Sequence, residues 1–141
     1  MLRIGFIGCG GIARQHATHL SKMRSVQIVA ASDLVVETAA KFSTDFEVPY
    51  HHKDYRKILG INEIDAIWVC TPTYQHAKPV IHAASSGKHI FCEKPMALKI
   101  SDAKKMHTIC EKYGIKFPVG FVRRFDPMWK KFKQIIQSDA L

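Results

Sequence analysis

The chain has 141 residues, 47% of them apolar, which suits one ordinary domain with a sizeable core and argues against global disorder or a repeat array. No apolar run approaches the ~20 residues that cross a bilayer, and the opening residues are too rich in glycine and too short in apolar run for a signal peptide, so no membrane association and a cytoplasmic location are expected. The formal charge of +9, from 21 Lys and Arg against 12 Asp and Glu, favours an anionic partner without separating a pyrophosphate from a nucleic acid, and acidic surface on a missing domain would equally account for it.

Along the chain, short β-rich apolar runs alternate with helical patterns, the signature of βαβ units and a parallel sheet. Strands are predicted over residues 2–7, 26–32, a short piece near Tyr50, 65–71, 88–92 and 116–121. Most lack alternation, as expected where helices cover both sheet faces. Ile12, His16, Leu20 and Met23 recur at helical spacing, as do Ala103, Met106, Cys110 and Tyr113, and both stripes are assigned to the core. Ser101 or Asp102 can cap a helix start, and Gly87 and Gly114 fall where helices should end. The last helix opens at Asp126-Pro127, an N-cap carboxylate followed by proline, and carries Met128, Phe132, Ile135 and Ile136 on one face with Lys130, Lys131 and Lys133 mostly elsewhere.

The strongest chemical signal is Gly8-Cys9-Gly10-Gly11-Ile12-Ala13. It fits the dinucleotide fingerprint G-x-G-x-x-G/A, directly after a predicted strand and directly before a predicted helix. Gly8 permits the tight turn, Gly10 lets backbone approach a pyrophosphate, Ala13 lets the helix sit close to the sheet, and the free amides around Gly11 and Ile12 attract phosphate. Asp33 ends the second strand, where a carboxylate accepts ribose hydroxyls and repels a 2′-phosphate, so NAD is expected in preference to NADP. The same carboxylate can also cap the segment that begins near Val35.

Four cysteines, Cys9, Cys70, Cys92 and Cys110, include no Cys-x-x-Cys pair, which excludes a zinc knuckle or redox dithiol and leaves buried reduced thiols. The pairs His16 and His19, and His51 and His52, lack the acidic or cysteine partners of a metal site, so no metal is expected.

Two further clusters fall at the carboxyl ends of predicted strands, the edge where open parallel sheets bind ligands. These are Cys70-Thr71-Pro72-Thr73-Tyr74-Gln75-His76 and Glu93-Lys94-Pro95. Together with the glycine fingerprint, Asp33 and the run Ala84 to Gly87 leading into His89-Ile90-Phe91, they make essentially the whole chain resemble the glucose-fructose oxidoreductase and inositol 2-dehydrogenase family, Gfo/Idh/MocA. Gly120 to Pro127 is most similar to the inositol dehydrogenase branch, although a polar residue is commoner there than Val122.

The resemblance implies an α/β, Rossmann-type, doubly wound parallel sheet over residues 1–121, with residues 122–141 starting a crossover into a substrate domain that is absent here. It implies an NAD-dependent dehydrogenase acting on a sugar or polyol, a homo-oligomer at full length, and a fragment with little or no turnover of its own. By the same resemblance Lys94 sits near nicotinamide and substrate and relays the hydroxyl proton, Glu93 lines the nicotinamide ribose region, and Thr71 and His76 border the cofactor. The residues alone also permit a surface lysine on a turn for Lys94 and a helix-start residue for His76. Two other functions stay open at this stage: a non-catalytic NAD-binding scaffold, and a nucleic-acid binder using the basic aromatic run from Arg123 to Lys133, against which stands an amphipathic helix with its lysines in water. Nucleic acid is not the expected partner.

Overall fold

Four apolar segments in this chain are too short for helices and too apolar for a half-exposed sheet, so they need helices on both sides. A computed structural model, describing residues 1–138, gives them that arrangement. The strands β1 (Leu2–Ile7), β2 (Val26–Ser32), β3 (Tyr50–His52), β4 (Ala66–Val69) and β5 (His89–Cys92) form one parallel sheet in the order β3-β2-β1-β4-β5. Helices α1 (Gly11–Leu20) and α2 (Val36–Asp45) cover one face; α3 (Tyr55–Leu59), α4 (Ala77–Ser85) and α5 (Ile100–Lys112) cover the other. Residues of β1, β2 and β4 feed both cores, and β5 feeds one of them. Ile4 and Phe6 pack with Ala13, Ala17 and Phe42, whereas Ile67 and Val69 pack with Val80, Ala83, Ile90 and Met106. The doubly wound parallel sheet expected from the sequence is the observed fold.

Four local expectations are corrected. The buried residues of α1 are Ala13 and Ala17, while Ile12 is 40% exposed and Met23 lies exposed beyond the helix end. Two methyl side chains let α1 lie close against the sheet, which leaves Ile12 outside while Leu20 still packs against the core edge. Residues 116–121 form no full strand. The segment runs beside β5, giving carbonyls of Lys116 and Pro118 to the amides of Ile90 and Cys92, but Pro118 has no N–H to return, and only a Cys92 to Val119 bridge is left. The start of α5 is capped by neither Ser101 nor Asp102; its N-cap is Lys99 with no side-chain bond, and Asp102 instead falls inside the first turn, favourably placed in the helix field. Of the second stripe, Met106 and Cys110 are buried, Ala103 is half-buried and Tyr113 is exposed.

Helix ends are as expected. Gly87 and Gly114 take φ of +73° and +65° after α4 and α5. Asp126 caps α6 (Pro127–Gln137) by accepting from the amides of Met128 and Trp129. No residue of α6 is buried. Lys88, which precedes β5, is buried with its ammonium donating to the carbonyls of Ile61, Asn62 and Ile64 at 3.0, 3.3 and 2.7 Å; burial lowers its pKa. No helix among the described residues is long and apolar enough to cross a membrane.

All four thiols are free and buried. Burial pushes Cys9 up to about 12, helped by the Asp33 charge; burial does the same to Cys92, about 12, and Cys110, about 11. The Cys70 thiol is raised for the same reason, with Glu93 adding to it. An aromatic disulfide reagent at pH 8 is therefore expected to label the folded chain slowly and to titrate four thiols once it is unfolded; rapid native labelling at any of them would contradict this packing.

Candidate active site at the carboxyl edge of the sheet

The order β3-β2-β1-β4-β5 reverses direction between β1 and β4, so the chain leaves these two strands toward opposite faces and a crevice opens above their ends. Gly8 stands at that point. Its φ is +89°, and a Cβ there would lie 2.7 Å from the backbone of Cys70 and Thr71. Only glycine fits, for both reasons. The Gly8 amide donates to Ser32 O at 2.8 Å and the Cys70 amide to Ile7 O at 2.8 Å, so the ends of β1, β2 and β4 are gathered around it.

Gly10 and Gly11 differ from Gly8. Nothing lies within 4 Å of a Cβ built at either, and Gly10, the N-cap of α1, has no side chain with which to cap it. Amides of the first helical turn have no intrahelical acceptor. The space beside both built Cβ positions is open, and with the positive end of the helix dipole at this turn that is an arrangement suited to phosphate.

Asp33 follows β2 and turns toward this loop. Its Oδ2 accepts the Cys9 amide at 2.9 Å and its Oδ1 the Val35 amide at 3.0 Å. The carboxylate accepts from the segment leading into α2 but does not cap that helix in the way the sequence suggested; the N-cap residue is Val35, with no side-chain cap bond. Each oxygen keeps a further lone pair for a hydroxyl donor. Thr71, after β4, has a buried Oγ1 with no hydrogen-bond partner. An orphaned hydroxyl beside the Gly8 turn is what a missing polar ligand would leave. The open glycines, free amides, two-oxygen acceptor and unpaired hydroxyl together fit a dinucleotide.

The remaining sequence candidates divide. Lys94 is exposed. Glu93 is 6% exposed, with Oε1 2.8 Å from His16 Nε2 and Oε2 accepting the Lys94 amide at 3.0 Å. His76 is 1% exposed, its Nε2 2.8 Å from Thr71 O and its Nδ1 3.1 Å from Pro95 O and 3.3 Å from Met96 O. It sits between the loop after β4 and the loop after β5 and is walled in by protein. Sequence reasoning placed His16 in the apolar core; the structure puts it against Glu93 and edge-on to Phe91, ring centroids 5.1 Å apart. Nothing in the spacing of residues so far apart signalled that pairing. A cavity of about 630 Å³ adjoins it, lined by His16, Phe91, Gly120, Phe121, Val122 and Phe125 among others.

The two kinds of glycine give separable outcomes. Gly8→Ala is expected to lower the urea midpoint, by at least the ~1–2 kcal/mol of an L-residue in left-handed backbone. Gly10→Ala should unfold at the parental midpoint yet lose roughly tenfold (about 1.4 kcal/mol) in dinucleotide affinity.

Comparison with known proteins agrees with this geometry. Residues 2–121 match the model of the oxidoreductase family with the NAD-binding Rossmann fold. An uncharacterized oxidoreductase of Bacillus subtilis, YrbE, is 37% identical over 137 residues, which is 97% of this chain and 40% of the relative. The myo-inositol 2-dehydrogenase of Thermotoga maritima is 32% identical, over 99% of this chain and 42% of its own length. Among solved structures, the scyllo-inositol dehydrogenase of Lactobacillus casei with bound NAD(H) and scyllo-inositol superposes with a TM-score of 0.91 at 27% identity, over 99% of this chain and 42% of that one. The chain therefore spans about two-fifths of the length of the relatives it matches.

Proposed function

Because the chain belongs to the oxidoreductase family with the NAD-binding Rossmann fold, we propose that residues 1–121 are the cofactor-binding domain of a dehydrogenase acting on a hydroxyl of a sugar or of a polyol of the inositol kind, and that residues 122–141 begin the crossover to its substrate domain. The observation that carries the reading is the open amide cradle at Gly10 and Gly11 beside the Asp33 carboxylate. Inositol dehydrogenases among the relatives support the substrate class.

When bound, the nicotinamide supplies a hydride acceptor. The amides of Gly11 and Ile12 hold the diphosphate, Asp33 accepts the adenosine ribose hydroxyls, and the Thr71 hydroxyl meets the cofactor. Lys94 orients the substrate hydroxyl and receives its proton at Nζ. Glu93 and His76 act on the loop around Lys94 from within the protein. In this assignment the chain alone binds cofactor without turning over a polyol.

NAD is the preferred form in this reading. A 2′-phosphate at the ribose would meet the Asp33 charge at close range, a repulsion worth roughly ten- to a hundredfold in affinity after solvent screening. Calorimetric titration with NAD and NADP is expected to show that preference, and Asp33→Ala should abolish it. Asp33→Asn, which keeps an oxygen for the Cys9 amide, controls for damage to the loop. Equal binding of both dinucleotides by the unaltered chain would defeat the role given to Asp33.

A further inference from the structure

A carboxylate removed from water has to be supplied with donors, or its burial is strongly unfavourable. Glu93 has two, on two different elements: an imidazole of α1 at Oε1 and the backbone amide of Lys94 at Oε2. The enclosure is tight. Phe91 stands edge-on to the His16 ring and stacks on Trp68, centroids 5.2 Å apart. Gly120 closes a further side, where a Cβ would lie 3.1 Å from Glu93 Oε1 and 3.1 Å from Phe91 Cζ. His16 lies on the same helix whose first turn opens the phosphate cradle, and Glu93 directly precedes Lys94.

We infer that His16 is a positioning residue for Lys94, acting through Glu93, so that the phosphate-binding helix and the lysine-bearing loop are held as one unit. The importance of Lys94 rests on the function proposed above; the linkage itself does not. A neutral imidazole donates from one nitrogen only, so serving an ionised Glu93 requires the hydrogen on Nε2. The carboxylate in turn fixes the direction of the Lys94 amide, and with it the point from which the lysine side chain departs.

Nitrogen-15 NMR of the full chain tests this. In Glu93→Gln the carboxamide can keep its oxygen on the Lys94 amide only by presenting its NH₂ to His16 Nε2, so the ring should adopt the Nδ1–H tautomer and its two nitrogen shifts should interchange. In His16→Ala the Lys94 amide should exchange with solvent about tenfold faster, the equivalent of one lost hydrogen bond, while amides of β4 keep parental rates. His16→Gln, which can still donate to Glu93, should restore protection. Should His16→Ala fail to fold, Gly120→Ala, which pushes on Glu93 without deleting a donor or acceptor, should shift the Lys94 amide and speed its exchange. An unchanged tautomer in Glu93→Gln, unchanged Lys94 exchange in His16→Ala, or no recovery in His16→Gln overturns the inference. NAD affinity should stay within about twofold of parental in both His16 variants; its loss in both would make His16 a cofactor contact and overturn the positioning role. If the unaltered chain bound no NAD, the proposed function would fall, while the tautomer and exchange results would still decide the linkage.

Discussion

The backbone of Gly8 and that of Cys70–Thr71 approach so closely that no side chain fits between them. This contact joins the ends of β1 and β4 where the winding of the sheet reverses, and the rest of the site is placed relative to it. The Gly8 amide holds the end of β2 through Ser32, and the next amide, Cys9, holds Asp33. Helix α1 begins two residues later, with open space beside Gly10 and Gly11. One glycine thereby sets the distance between a cradle suited to phosphates and an acceptor suited to a sugar.

The groups suited to phosphate in this arrangement are backbone amides, not side-chain cations. Arg14, in the second turn of α1, is paired with Asp45 at the end of α2 and lies over the Phe46 ring. That contact holds the Asp45 carboxyl below its ordinary range and commits the guanidinium to joining the two helices. The chain's basic excess acts at longer range, by raising the local concentration of anions. The cradle converts that attraction into a fixed geometry, since amide directions are set by the helix and need no side-chain ordering on binding.

Much of this was legible in the sequence because it is local. A glycine fingerprint between a strand and a helix, an acidic residue ending the second strand, and loops rich in polar residues at strand ends are all written in short windows, and each stands at the predicted edge. The failures arose where a short window is ambiguous. Residues 12, 16, 20 and 23 form as good a helical stripe as 13, 17 and 20, and only the closeness of α1 to the sheet selects the alanines. Pro118 carries a visible warning, a missing donor, which the apolar character of its neighbours outweighed. The partnership of His16 with Glu93 joins residues 77 apart, and no periodicity encodes it; the one available hint was an ionisable residue inside a supposedly apolar stripe.

The loop bearing Lys94 is held from two sides by histidines that reach it differently. His16 acts through a carboxylate, whereas His76 faces carbonyl oxygens only: Thr71 at one ring nitrogen, Pro95 and Met96 at the other. Carbonyl oxygens accept and never donate, so a neutral His76 ring can serve one side alone and the doubly protonated ring serves both. In either state the ring is enclosed between the loops after β4 and β5 and fills the space between Thr71 and Pro95. The position of the lysine is therefore a tertiary property, produced by α1 on one side and the start of α4 on the other, and a loop with the same local sequence on another scaffold would not inherit it.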